Sequence, residues 1–156
     1  MKILIVYYSL YGHVFKLAQA VKEGAESVKG AEVAFRRVEE FDIVLKKTAD
    51  DKYLSQVREQ QKDIPVCTLD DLRAADGVLI GSPTRYGNMT AQMKQLIDST
   101  ASLWLKGEME GKPAGVFTVL RRISWVEGRI FLVQNPSLVA EVEGVLNEKN
   151  ALVLGI

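Results

Sequence analysis

The chain has 156 residues, 47% apolar and 26% charged, with 20 Lys plus Arg balancing 20 Asp plus Glu. This predicts one soluble domain over residues 1–156, and the zero net charge leaves no global field for nucleic acid or an anionic membrane surface. The single cysteine, Cys67, excludes an internal disulfide and, with only one histidine, a structural zinc site; the N-terminal apolar run is too short for a signal peptide or membrane span, so a cytoplasmic protein is expected.

The N-terminal stretch organises the rest. Lys2-Ile3-Leu4-Ile5-Val6-Tyr7-Tyr8 is rich in β-branched and aromatic residues and barely alternates, the pattern of a strand buried on both faces of a parallel sheet. Ser9-Leu10-Tyr11-Gly12-His13-Val14 follows and opens an amphipathic helix. A strand, a tight loop and a helix N-terminus bring free backbone N–H groups and the positive end of the helix dipole together, which is the geometry that binds phosphate. Ser9 adds a hydroxyl, and Gly12 permits positive φ or close approach of a ligand. The same stretch also fits an ordinary βα connection.

Apolar residues then recur at helical period from Val14 to about Val28, and Gly30 ends the helix. Glu32 to Val38 alternates polar with apolar, as in a strand near a sheet edge. Residues 39–64 are densely charged, with Tyr53, Leu54 and Val57 as sparse anchors. The segment reads as a solvated loop carrying a short helix, or as an insertion that pairs with another subunit. Thr68 and Asp71 suit a capping box. Gly77 to Gly81 is a second buried strand, followed by the loop Ser82-Pro83-Thr84-Arg85-Tyr86-Gly87-Asn88-Met89. Thr90 caps a helix through Met93, Leu96 and Ile97 that reaches Leu103 and Trp104, and Pro113 to Thr118 forms a third buried strand. Gly128 to Val133 can extend as a strand, Pro136 to Asn150 reads as a helix, and Ala151 to Ile156 as a last strand.

Several signatures are missing. No G-x-G-x-x-G follows the first strand; Gly107 to Pro113 mimics a P-loop but is one residue short, with Pro where Ser or Thr belongs. There is no H-E-x-x-H motif or nucleophile elbow, and His13 alone could serve a Ser-His-Asp triad, which makes hydrolase chemistry a poor fit. In a doubly wound sheet of order 2-1-3-4-5, the Ser9 to Val14 and Pro83 to Asn88 loops lie side by side at the switch point. One can hold a phosphate while the other offers backbone groups, Arg85 and Tyr86 to a planar ring.

At these residues the chain resembles the flavodoxin-like NAD(P)H:quinone oxidoreductases of the tryptophan-repressor-binding-protein (WrbA) type. The resemblance is carried by Ser9-x-Tyr11-Gly12-His13 after Tyr7-Tyr8, by Gly81 to Met89 with Gln92-Met93-Lys94, and by Leu103-Trp104 before Gly111-Lys112-Pro113. It runs from Met1 to about Thr118, roughly three quarters of the chain. It implies a flavodoxin-like α/β fold, FMN as cofactor and NAD(P)H as electron donor to a quinone. Ser9, Leu10, Tyr11, Gly12, His13 and Val14 would hold the FMN phosphate, and Pro83, Thr84, Arg85, Tyr86, Gly87 and Thr118 would complete the cofactor site. Tyr11 would lie near NAD(P)H, and Trp104 would wall the quinone site; on its own pattern Trp104 reads as core packing at a helix end. Segment 39–64 matches the family's insertion, which implies assembly into a homo-oligomer, a dimer or tetramer. The resemblance implies no metal and names no catalytic residue.

Beyond Thr118 the pattern departs from the family. Val119-Leu120-Arg121-Arg122-Ile123-Ser124-Trp125 stands where such proteins carry a Gly-rich loop and a Gln-Glu pair, with a further histidine at the flavin later. The chain also stops roughly forty residues short of the family's length. A divergent tail over 119–156 that lacks the last helix is expected, of the kind a shifted reading frame produces. The expected function is FMN-dependent two-electron transfer from NAD(P)H to quinones. A one-electron carrier of the flavodoxin type and a flavin-free interaction domain are the alternatives.

Overall fold

The computed structural model describes residues 1–119, 130–133 and 152–155, the last two groups as backbone strands only. The expected helix over Pro136–Asn150, Arg121 and Arg122 lie outside the described residues. β1 (Lys2–Tyr7) is central, flanked by β2 (Glu32–Arg37) on one side and β3 (Gly77–Gly81) on the other, with β4 (Ala114–Phe117) beyond β3; all four run parallel in the order 2-1-3-4. Helices on both faces make this a doubly wound α/β fold.

The missing alternation in β1 has a direct cause. Ile3, Ile5 and Tyr7 enter one core with Val14, Phe15, Leu17 and Val21 of α1 (His13–Glu26), whereas Leu4, Val6 and Tyr8 enter the opposite core with Leu72, Met93 and Leu103. From Ile3 onward both faces of the strand are therefore dry, and every position from Ile3 to Tyr7 is apolar or aromatic. β2 lies at the edge and is only partly covered, matching its mixed sequence. Thr68 and Asp71 form the capping box of α4 (Leu69–Ala74), and Thr90 caps α5 (Ala91–Ser99), accepting from Met93 N at 3.5 Å. α6 (Ala101–Leu105) follows α5 after a single residue.

Two features differ from expectation. Segment 39–64, expected as a solvated loop with a short helix or as a pairing insertion, carries two helices, α2 (Asp42–Lys47) and α3 (Lys52–Gln61), and α3 buries Leu54, Val57 and Gln61. Arg58 binds the two helices together by donating to Thr48 Oγ1 at 2.8 Å and Thr48 O at 3.1 Å. The second feature concerns the sheet beyond β4. β5 (Ile130–Val133) pairs antiparallel with β4, and β6 (Leu152–Gly155) lies parallel to β5, so the expected parallel order holds for four strands and the fifth is reversed. A short apolar run such as Ile130–Val133 does not encode its direction, which pairing and the connection decide. Among the described residues, no helix is long and apolar enough to cross a membrane.

Candidate functional site

The two loops singled out in the sequence leave the carboxyl ends of neighbouring strands. Tyr7 is in register with Gly81, and Tyr8 N donates to Gly81 O at 2.9 Å, so the chain separates from the sheet only after Tyr8. Gly12 then turns the chain into α1 with φ 81°, a left-handed conformation that glycine adopts without strain. The first helical bond runs from Lys16 N to Gly12 O at 3.0 Å. No side chain caps this end and its first turn holds no acidic residue, so the N–H groups of His13, Val14 and Phe15 have no partner among the described residues. Those donors, and the helix dipole behind them, favour an anion.

The second loop is held by hydroxyls. Ser82 Oγ accepts from Thr90 N at 3.2 Å, Thr118 Oγ1 donates to Ser82 O at 2.6 Å, and Thr84 Oγ1 lies 3.3 Å from Thr118 Oγ1. Arg85 and Asn88 close a two-residue turn with reciprocal backbone bonds of 2.7 and 3.0 Å. Tyr86 and Gly87 at its tip have φ 52° and 77°, the positive pair of a type I′ turn. Tyr86 is the one non-glycine residue with positive φ among the described residues, and its side chain is fully exposed.

Between the loops lies a cleft of about 680 Å³, within the range of small-molecule sites. Ser9, Leu10, Tyr11, His13 and Val14 line it from the first loop, and Pro83, Thr84 and Arg85 from the second. The Arg85 guanidinium stands over the Tyr11 ring, 6.0 Å from its centroid, and joins the two lips. Eight of the expected residues thus meet in one place. Gly12 sits at the helix start and takes no part in the lining, while Gly87 and Thr118 line a second cleft of about 290 Å³ that shares Pro83 and Thr84 with the first. Trp104 lines neither cleft and is 74% exposed on α6, so the core-packing expectation for it fails.

Two lining residues were missed in the sequence. Val119 closes the cleft next to β4, and Tyr53 reaches it from α3. The signal for Tyr53 was present: Tyr53, Val57 and Gln61 recur every fourth residue and so share one helical face. Among the described residues no group of three or more His, Cys, Asp or Glu stands together as a metal site. Among the described residues one buried side-chain polar atom, Tyr7 Oη, has no partner; its ring stacks on Phe15 and Phe35 with centroids 5.7 and 5.2 Å away, and burial pushes the phenol above its ordinary value.

A family model described as NADPH-dependent FMN reductase matches residues 1–125. The chain is 48% identical over 121 residues to the NAD(P)H dehydrogenase (quinone) of Syntrophobacter fumaroxidans, covering 76% of this chain and 57% of that protein. It is 48% identical over 120 residues to the protein of the same name from Geotalea daltonii, covering 75% of this chain and 56% of that one. The chain therefore spans little more than half the length of the curated relatives it matches. In structure it is similar to a flavodoxin, WrbA-like protein from Agrobacterium tumefaciens, with a TM-score of 0.57 and 19% identity over 99% of this chain and 83% of that one. A flavodoxin from the domain Archaea gives a TM-score of 0.53 and 23% identity, over 99% and 78% of the two chains. At these identities the likeness shows the fold alone, which is flavodoxin-like.

Proposed function

The chain belongs to the NADPH-dependent FMN reductase family, and from that premise we propose that it binds FMN in the cleft between its two loops and passes two electrons from NAD(P)H to a quinone. The observation that carries this reading is the uncapped N-terminus of α1 opening into a cleft whose far wall is Pro83, Thr84 and Arg85. The residues present fit the cofactor: free N–H groups and the Ser9 hydroxyl suit a phosphate, and a half-apolar cleft of about 680 Å³ suits a ring system.

On this reading the N–H groups of His13, Val14 and Phe15, with Ser9, hold the phosphate, and Gly12 sets the turn that presents them. Thr84 orients the polyol chain, itself held in place by Thr118. Arg85 supplies positive charge, and the N–H groups of Tyr86 and Gly87, which have no partner among the described residues, offer donors to a ring edge. Bound there, FMN supplies hydride acceptance and delivery. The protein's part is to place the reactants and exclude water. Tyr11, half exposed at the lip, offers a flat surface to the nicotinamide or quinone.

Trp104 lines neither cleft and lies exposed beside the exposed Leu105; this apolar pair supports assembly into a dimer or tetramer, in which a second copy would present Trp104 to the site. A single, buried Cys67 fits a cytoplasmic, reducing location. The test is a steady-state assay with FMN present, NADH or NADPH as donor and a benzoquinone as acceptor. Quinone-dependent oxidation of the nicotinamide, weakened by Thr84→Ala, is expected. Oxidation that FMN does not stimulate would refute the proposal.

A further inference from the structure

One face of α3 grips the first loop at three points. The Tyr53 hydroxyl donates to Tyr11 O at 2.9 Å. The Val57 methyl groups face the turn, 3.5 and 3.6 Å from where a Cβ on Gly12 would lie. Gln61 Nε2 donates to Ser9 O at 3.3 Å and to Val57 O at 3.0 Å. Gln61 is only 7% exposed, an amide buried in a segment otherwise dense with surface charge. The helix is itself anchored: Asp51 Oδ1 accepts from Leu54 N at 3.0 Å at its start, and Arg58 ties it to the end of α2.

These contacts bear on anion binding. A loop that offers its N–H groups to a phosphate must keep its carbonyl oxygens from opposing that charge. Here the carbonyls of Ser9 and Tyr11 are engaged by donors from α3, while the N–H groups of His13 to Phe15 have no partner among the described residues. A cradle already held in its binding conformation does not lose that freedom when the anion arrives.

We propose that α3 is a clamp that pre-organises the phosphate loop, with Tyr53 and Gln61 as positioning residues for the phosphate of the flavin rather than for its ring. The proposal rests on the flavin reading above and deepens it. It gives segment 39–64 a part in this chain's own site, separate from any part in assembly.

The test compares FMN with riboflavin, which carries the same ring and no phosphate. Affinities are measured by quenching of flavin fluorescence for the wild type, Tyr53→Phe and Gln61→Met, with circular dichroism to establish that each is folded. Tyr53→Phe removes only a hydroxyl from a half-exposed ring, so its fold is safe even if the buried Gln61 variant fails. The expected result is a rise of about five-fold in the FMN Kd of Tyr53→Phe, the effect of one neutral hydrogen bond. The riboflavin Kd should change by less than about two-fold. An equal rise for both flavins would overturn the clamp, because α3 would then act on the ring wall; so would no change for either. A folded wild type that binds neither flavin would instead overturn the flavin reading itself, and the clamp with it.

Discussion

The Tyr8 hydroxyl donates to Glu40 Oε2 at 2.5 Å, joining the end of β1 to the start of the charged segment. The same carboxylate accepts from Gln92 Nε2 of α5 at 2.6 Å and from Phe41 N at 2.8 Å. Tyr8 and Gln92 are both buried. Burial, and then the bond to Glu40, pushes the Tyr8 phenol far above its ordinary value, so it remains a donor at any working pH. Glu40→Ala leaves all three donors without their acceptor and is expected to cost about 3 kcal/mol in urea unfolding. Tyr8→Phe leaves the carboxylate two donors and is expected to cost about 1 kcal/mol. Equal costs would mean that the three bonds do not act as one junction.

Gly81 is glycine because Phe117 occupies the space beside it. A Cβ there would lie 2.2 Å from Phe117 Cε2, and Phe117 is fully buried in the core on the α1 side. Gly81→Ala is expected to destabilise the fold by about 3 kcal/mol, an overpacking cost. Phe117→Leu should recover part of that loss in the double variant, because the two sites share one space. Additive losses in a double-mutant cycle would show that the glycine is needed for another reason.

Cys67 should behave as an inert thiol. Burial, then the neighbouring Asp71 carboxylate, pushes it up to about 12, against the partial opposition of Arg36. In the unfolded chain a thiol titrates at about 8.5. The folded state therefore holds its proton more tightly, and the associated stability is intact below that value and lost as pH rises from there towards 12. Two readouts follow: alkylation by iodoacetamide at pH 8 only after denaturant is added, and a urea midpoint that falls more steeply between pH 8 and pH 10.5 in the wild type than in Cys67→Ala. Rapid labelling of the native protein would contradict the assignment.

The acid side is set in part by Asp71. Desolvation raises its carboxyl, but the bond from Arg36 and those from the Thr68 backbone and hydroxyl outweigh it, and the group lies below its ordinary value. Arg36 Nε and Nη2 meet Asp71 Oδ1 at 3.0 and 2.9 Å, a bridge from β2 to α4. Its contribution is present above the unfolded carboxylate value and lost as pH falls through the lower folded one. Asp71→Asn is expected to lower stability at pH 7 by about 1 kcal/mol, mainly through loss of the charge that faces Arg36, and to flatten the acid limb of the stability curve. An unchanged acid limb would exclude Asp71 as a contributor.

What could be read from the sequence follows physical lines. β1 and β3 were legible because positions buried on both faces of a sheet must be apolar, as Ile3 to Tyr7 and Val78 to Ile80 are, and the loops after them because Ser9, Gly12, Pro83, Thr84 and Gly87 punctuate the chain. Eight residues expected at the cofactor site meet in one cleft for the same reason: the parallel order brings the ends of adjacent strands together. The docking of α3 was hidden by Lys52, Arg58, Glu59 and Lys62, which alternate with its packing face, and by Gln61, a polar residue whose burial has no hydropathy signal. Trp104 read as core because a tryptophan near a helix end usually is core, and only the packing of α6 shows it exposed. The reversal of β5 depends on pairing, which four apolar residues do not specify.

Titration of the purified protein with FMN, followed by flavin fluorescence, reads whether FMN occupies the cleft between Ser9–Val14 and Pro83–Arg85. The expected result is saturable quenching at one site per chain. Thr84→Ala should weaken it, as should Gly12→Ala, which forces a Cβ into a backbone conformation at φ 81° that costs about 1–2 kcal/mol. A folded protein that leaves FMN fluorescence unchanged, or variants that bind as tightly as the wild type, would contradict it.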